Sequence, residues 1–238
     1  DARDASLARP DLPPEQVAWF HLRLGEVEAR AGRPRGAREA FSSGLLLAPD
    51  DYRLLGALAR LETTQGDPRK AVELAERSLA ERLDPVTLGT LSEAYEIMGD
   101  SSRAGEAFRA MELSVTAQPG AYHRAWGLFL LDHDRRVPEV LQKAREEIAI
   151  RKDIYGYDLL GWALFKQGLH VEARRAARQA LRLGTEDASL FYHAGMIERA
   201  LGDRAAARDY LERALTINSE FHPIQARIAR EALESLSR

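Results

Sequence analysis

The run Asp132-His133-Asp134 is the one local cluster in this chain whose residue types match metal ligands. Imidazole nitrogen and carboxylate oxygen are common donors to zinc, but they must converge on one point. Three consecutive helical residues cannot converge, because adjacent side chains point about 100° apart. No HxH or HExxH spacing supplies further ligands. The run therefore reads as a polar helix end and the turn after it, with His133 and Asp134 solvated or capping. The six histidines, at positions 21, 123, 133, 170, 193 and 222, stand singly, and no Ser/His/Asp grouping can be assembled from them. There is no Gly-rich phosphate loop and no GxSxG nucleophile turn. The absence of cysteine removes disulfides, thiolate catalysis and cysteine-ligated zinc. These residues give no catalytic group, no metal site and no cofactor, and they point away from an enzyme.

Composition sets further bounds. With 45% hydrophobic and 30% charged residues, the chain is globular rather than disordered. Its 34 basic and 37 acidic residues nearly balance, which argues against a dedicated nucleic-acid binder. No run of about 18 apolar residues is present, so no membrane span is expected. The chain starts at Asp1 without Met and shows no signal-peptide pattern. That reads as a mature or trimmed protein, and it leaves the compartment open between cytoplasm and export.

The elements that must position any functional side chain are set by an internal period. Gly32, Gly66, Gly99, Gly168 and Gly202 share one context, a helical stretch before and an Ala-rich run after, and lie 34, 33, 69 and 34 residues apart. The long gap holds two periods, so a sixth, less regular unit lies inside it. Alanine returns five residues after each glycine, at Ala37, Ala71, Ala104, Ala173 and Ala207. Phe41, Phe108, Leu211, Ala180 and Ala214 follow at helical spacing, and Leu24, Leu58, Leu91, Trp126, Leu160 and Ala194 precede. Each unit is thus a pair of amphipathic helices. The glycine ends the first helix with positive φ, and the alanines let the second approach closely.

Leu24-Gly25, Gly32, Ala37, Phe41 and Pro49, with their counterparts Tyr95, Gly99, Ala104 and Phe108, Gly161, Gly168, Ala173 and Ala180, and Gly195, Gly202, Ala207 and Ala214, resemble the tetratricopeptide repeat (TPR). The segments YDLLGWALFKQG and YHAGMIERALGD are similar to those of bacterial TPR proteins associated with export. The resemblance covers about nine-tenths of the chain. It implies an all-α, right-handed superhelical solenoid of six repeats plus a C-terminal capping helix. The boundaries are 1–17 for a lead-in, 18–51, 52–84, 85–118, 119–153, 154–187 and 188–221 for the repeats, and 222–238 for the cap. In the fourth repeat Asp134 replaces glycine and one residue is added near Val137-Pro138. The turn is expected to survive, since Asp tolerates the left-handed region. Pro223–Arg238 is expected to form one helix, with Ile224, Ile228, Leu233 and Leu236 as its apolar stripe, covering the last exposed face.

The resemblance further implies a concave groove lined by first-helix residues. It brings Arg124 and Asp132, then Tyr155, Asp158, Trp162, Phe165 and Lys166, then Tyr192, His193, Met196 and Arg199, onto one aromatic surface. Partner binding is expected at Arg124, Tyr155, Asp158, Trp162, Tyr192, His193 and Met196, with accessible side chains. Packing between repeats is the competing reading, Trp162 and Phe165 above all. The first half of the groove carries Arg23, Glu26, Arg30, Arg53, Arg60, Glu93 and Glu96, a mixture suited to a polar ligand segment or to solvent. The carboxylate clamp of chaperone-binding TPR domains is absent: Leu22, Glu26, Ala57, Val86 and Thr90 stand in its places. Arg174, Arg175, Arg178 and Arg182 read as a solvated outer face. The functional expectation is a non-catalytic scaffold for a protein or peptide partner, with self-assembly as the first rival and a metal-dependent enzyme built on Asp132-His133-Asp134 as the second.

Overall fold

The computed structural model describes residues 12–116 and 124–236. Residues 1–11 of the expected lead-in, 117–123 across the boundary of the third and fourth units and 237–238 of the cap lie outside the described residues. Among the described residues there are thirteen α-helices and no strand. They are α1 (Pro14–Arg30), α2 (Pro34–Leu47), α3 (Tyr52–Thr64), α4 (Pro68–Glu81), α5 (Pro85–Ile97) and α6 (Ser101–Thr116), then α7 (Arg124–Asp132), α8 (Val137–Ile150), α9 (Ile154–Lys166), α10 (His170–Ala180), α11 (Ala188–Ala200), α12 (Arg204–Ile217) and α13 (Gln225–Leu236). The chain divides into two compact units, Asp1–Pro119 and Gly120–Arg238.

Local chemistry sets the helix ends. Pro14, Pro34, Pro68 and Pro85 open their helices, where a missing N–H costs nothing. Asp51, Asp67, Asp84, Asp153, Asp187 and Asp203 accept hydrogen bonds from backbone N–H groups of the first turn. The five periodic glycines leave their helices at positive φ. Asp134 does the same at φ 52°, and Arg136 follows at φ 49°. The fourth turn therefore survives by holding two non-glycine residues in the left-handed region, each at a cost of about 1 kcal/mol or more. Lys166 Nζ, 2.8 Å from Asp134 Oδ1, ties that turn to α9.

Within unit 1, α1 packs on α2, α3 on α4 and α5 on α6, while the first helices also pack in series, α1 on α3 and α3 on α5. Ala18, Leu22, Phe41, Leu54, Leu55 and Leu74 are among the buried residues of this core. At Gly25 a Cβ would sit 2.3 Å from Phe41 Cε1, so the ring fills the place a side chain would take. Unit 2 repeats the plan with α7 on α8, α9 on α10 and α11 on α12, and with α7, α9 and α11 in series. All five periodic alanines are buried.

One bridge occurs in both units. Arg38 donates through Nε and Nη2 to Glu62 at 2.8 and 2.7 Å. Arg174 meets Glu198 through Nε and Nη2 at 2.9 and 2.6 Å, again 24 residues apart. This corrects the solvated reading at Arg174, which closes on a buried carboxylate; Arg182 is exposed and donates to the carbonyls of Gln179 and Lys152. Arg175 and Arg178 are exposed.

The terminal helix packs on α12 and α11. It begins at Gln225 rather than Pro223, because His222 Nδ1 accepts from the backbone N–H of Ile224 and Gln225 at 3.3 and 3.4 Å. Its buried face also differs from the expected stripe. Ala226, Ala229, Ala232 and Leu236 are buried, while Ile224, Ile228 and Leu233 are only half-buried. Small residues let the helix axis lie close to its neighbours.

Candidate functional site

Helices α7, α9 and α11 present one side-chain face inside unit 2, because each first helix packs on the next. On α9, Tyr155, Asp158, Trp162 and Lys166 recur at three- and four-residue steps and share that face. Asp158 lies at its centre. Arg124 Nη2 of α7 donates to Asp158 Oδ2 at 2.8 Å, and His193 Nδ1 of α11 lies 2.7 Å from Asp158 Oδ1. Arg124 Nε also donates to the Tyr155 carbonyl at 3.3 Å, and its guanidinium sits 4.7 Å from the Tyr155 ring centroid. Trp162 stacks on His193 at 4.3 Å and on Phe165 at 4.7 Å. Tyr192 meets Trp162 at 5.7 Å.

A second carboxylate lies close by. Asp132 Oδ1, at the end of α7, accepts from Trp162 Nε1 at 2.8 Å and from Gln225 Nε2 at 2.7 Å. His222 Nε2 is 3.6 Å from its Oδ2. The other members of the Asp-His-Asp run diverge, His133 onto the Phe129 ring and Asp134 toward Lys166. Among the described residues, no group of three or more His, Asp or Glu is placed to hold a metal ion.

The two carboxylates are tuned in opposite directions. Burial alone would raise Asp158, but the charges and hydrogen bonds of His193 and Arg124 outweigh it and hold the carboxyl below its usual range. Asp158 is therefore ionised, and His193 Nδ1 carries the hydrogen between them. Burial dominates at Asp132 and raises its pKa against the attraction of His193, the donors Trp162 and Gln225, and Lys166. Burial, with the charge of Asp132 added, also pushes the Tyr192 hydroxyl up.

The expected residues are brought together, but not as an open wall. Asp158, Trp162, Tyr192 and His193 are only 2%, 3%, 2% and 2% exposed. This corrects the expectation of accessible side chains at those four positions: opposite charges and stacked rings satisfy one another inside unit 2. Arg124, Tyr155 and Met196 are half-buried and reach the surface. In the first half of the chain, Arg23 and Arg30 pair with Glu26, Arg53 folds back on Asp51, and Glu93 is buried. Reasoning from the repeats alone missed Gln225, and left His222 as one of six single histidines. A short polar side chain beside Pro223, at a helix start, was the available signal.

The tetratricopeptide repeat family model matches residues 22–86 and 159–223, more than half of the chain, and the chain belongs to that family. Solved structures agree on the fold. A tetratricopeptide repeat protein from Parabacteroides merdae is similar with a TM-score of 0.57 and 18% identity, over 99% of this chain and 90% of that one. The APC/C hetero-tetramer Cut9-Hcn1 gives 0.55 and 16%, over 100% of this chain and 45% of that one. PilW, a type IV pilus biogenesis factor, gives 0.51 and 15%, over 94% and 99%. No curated protein matches significantly. Among the described residues, no helix is long and apolar enough to cross a membrane.

Proposed function

We propose that the chain is a non-catalytic protein-interaction scaffold, and that the first-helix face of unit 2 takes a peptide segment or partner helix. One observation carries the reading. Arg124, half-exposed, is held against the half-exposed Tyr155 ring by a buried carboxylate, Asp158. A cation fixed over an aromatic ring at the rim of a buried cluster loses little entropy on binding, and Arg and Tyr are the side chains that anchor interfaces. Met196 adds adaptable apolar surface. The tetratricopeptide family supports the reading, because its members serve protein–protein recognition. The buried members of the cluster act by positioning the rim, and their carboxylates spend their acceptor capacity on the chain's own donors.

Partner capture from the source organism, read by mass spectrometry, tests this with Arg124→Ala and Tyr155→Ala. Both variants should keep their helix content and lose at least about 10-fold in captured partner, the equivalent of about 1.4 kcal/mol. Unchanged capture by both variants would discard the site.

A further inference from the structure

The first-helix face of unit 2 already holds a peptide segment, and the segment is the chain's own. Between α12 and α13 the Phe221 ring lies 5.5 Å from the Tyr192 ring. Gln225 Nε2 donates to Asp132 Oδ1 at 2.7 Å, a bond between residues 93 positions apart. His222 Nε2 is 3.6 Å from Asp132 Oδ2. Stacked helix pairs need contacts only between neighbours. Capping accounts for α13 lying on α12 and α11, but it does not require a polar tie to α7, three helix pairs away in sequence.

We infer that Asn218–Gln225 is an intramolecular substitute for a peptide ligand, and that the ligand displacing it carries an aromatic side chain and a neutral or cationic hydrogen-bond donor at the Phe221–Gln225 spacing. The inference rests on the reading of this face as a partner surface, and it names the partner's chemistry. Tyr192 supplies the aromatic contact and Asp132 the acceptor. An acidic residue in the donor position is excluded, because it would bring a second acceptor, not a donor, against the carboxylate of Asp132. The segment's ties to α7 and α11 include one direct hydrogen bond, one longer imidazole contact and one ring contact, and Arg230 of α13 donates to its Ser219 carbonyl and to Glu220. Such a segment opens locally at less cost than global unfolding. While tethered, it competes with any free peptide at an effective concentration on the order of millimolar.

The probe is a fluorescein-labelled synthetic peptide of residues 217–228, titrated by anisotropy into the full chain. The variant Phe221→Ala/Gln225→Ala should bind it at least about 10-fold more tightly than the unaltered chain, because the tethered competitor is weakened. The same peptide carrying Gln225→Glu should lose that binding. A folded variant that binds no better than the unaltered chain would overturn the inference, as would equal binding of the acidic peptide. Dimerisation of the unaltered chain through this face, without peptide, would assign it to a second copy and overturn it as well. Should the double variant unfold, hydrogen exchange on the unaltered chain decides. Amides 226–229 should exchange at least about 10-fold faster than those of 159–163, as a locally opening segment must. Equal protection would refute it. The Arg124 and Tyr155 variants report separately on the underlying reading.

Discussion

Replacing Asp158 by Ala is the sharpest test of the cluster. The carboxylate is almost fully buried and accepts from Arg124 at 2.8 Å and His193 at 2.7 Å. Its removal leaves a guanidinium without its counter-charge and a buried imidazole with neither nitrogen hydrogen-bonded among the described residues, since His193 Nε2 has no partner there. Breaking a buried pair from one side costs about 3–5 kcal/mol. For a unit of this size, about 4 °C per kcal/mol converts that into a fall of roughly 12–20 °C in the melting of unit 2. Asp158→Asn keeps one acceptor oxygen and should cost about half as much. The pH dependence follows from the lowered carboxyl. Its contribution is complete above the unfolded value of 3.8 and is lost as pH falls through the folded value beneath it. The gap between wild type and Asp158→Ala, measured by circular dichroism melts at pH 7 and below pH 3.8, should therefore narrow at the acid end. A variant melting within about 3 °C of wild type at pH 7 would refute the claim that Asp158 organises this interior.

Tyr192→Ala empties a fully buried ring site and should cost about 3–5 kcal/mol, whereas half-exposed Tyr155→Ala should cost about 1 kcal/mol; paired thermal melts separate the two. Asp132 carries the opposite sign to Asp158. Its raised pKa means that stability falls as pH rises from 3.8 through the folded value, so Asp132→Asn should gain on wild type at pH 7 and lose that advantage in acid, read by urea midpoints. Gly25→Ala drives a methyl into the Phe41 ring and should cost about 1–3 kcal/mol in unit 1 alone, visible as a lower melting transition. Deleting residues 223–238 exposes the α12 and α11 faces under Ala226, Ala229 and Ala232 and should promote aggregation, measurable by light scattering.

The helices were legible because steric rules act within one period. A glycine that must take positive φ and an alanine that must admit a neighbouring helix leave fixed marks, and even the substitute Asp134 followed the backbone preference of its type. The grouping of Arg124, Tyr155, Asp158 and His193 was legible too, since it needs only matching positions on successive first helices. The burial of Asp158 and His193 was not. Nor was the return of Phe221, His222 and Gln225 to α7 and α11, since nothing in a repeat-by-repeat reading links residue 225 to residue 132. Arg174 was misread for a related reason. Its partner Glu198 belongs to the next pair, although the same 24-residue interval from Arg38 to Glu62 marked the bridge in advance.

The Gln225–Asp132 bond has a consequence for how the protein acquires its structure. In a chain of nearest-neighbour contacts, order can start anywhere and spread, and loop closure is cheap. A contact spanning 93 residues adds to the contact order of unit 2, and long-range contacts of that kind form late. During synthesis from the N-terminus, unit 1 can finish as soon as its last helix emerges. Unit 2 then waits with Asp132 short of its Gln225 donor until the start of α13 has been made, so an interior begun at Asp132 is completed by a residue added 93 positions later.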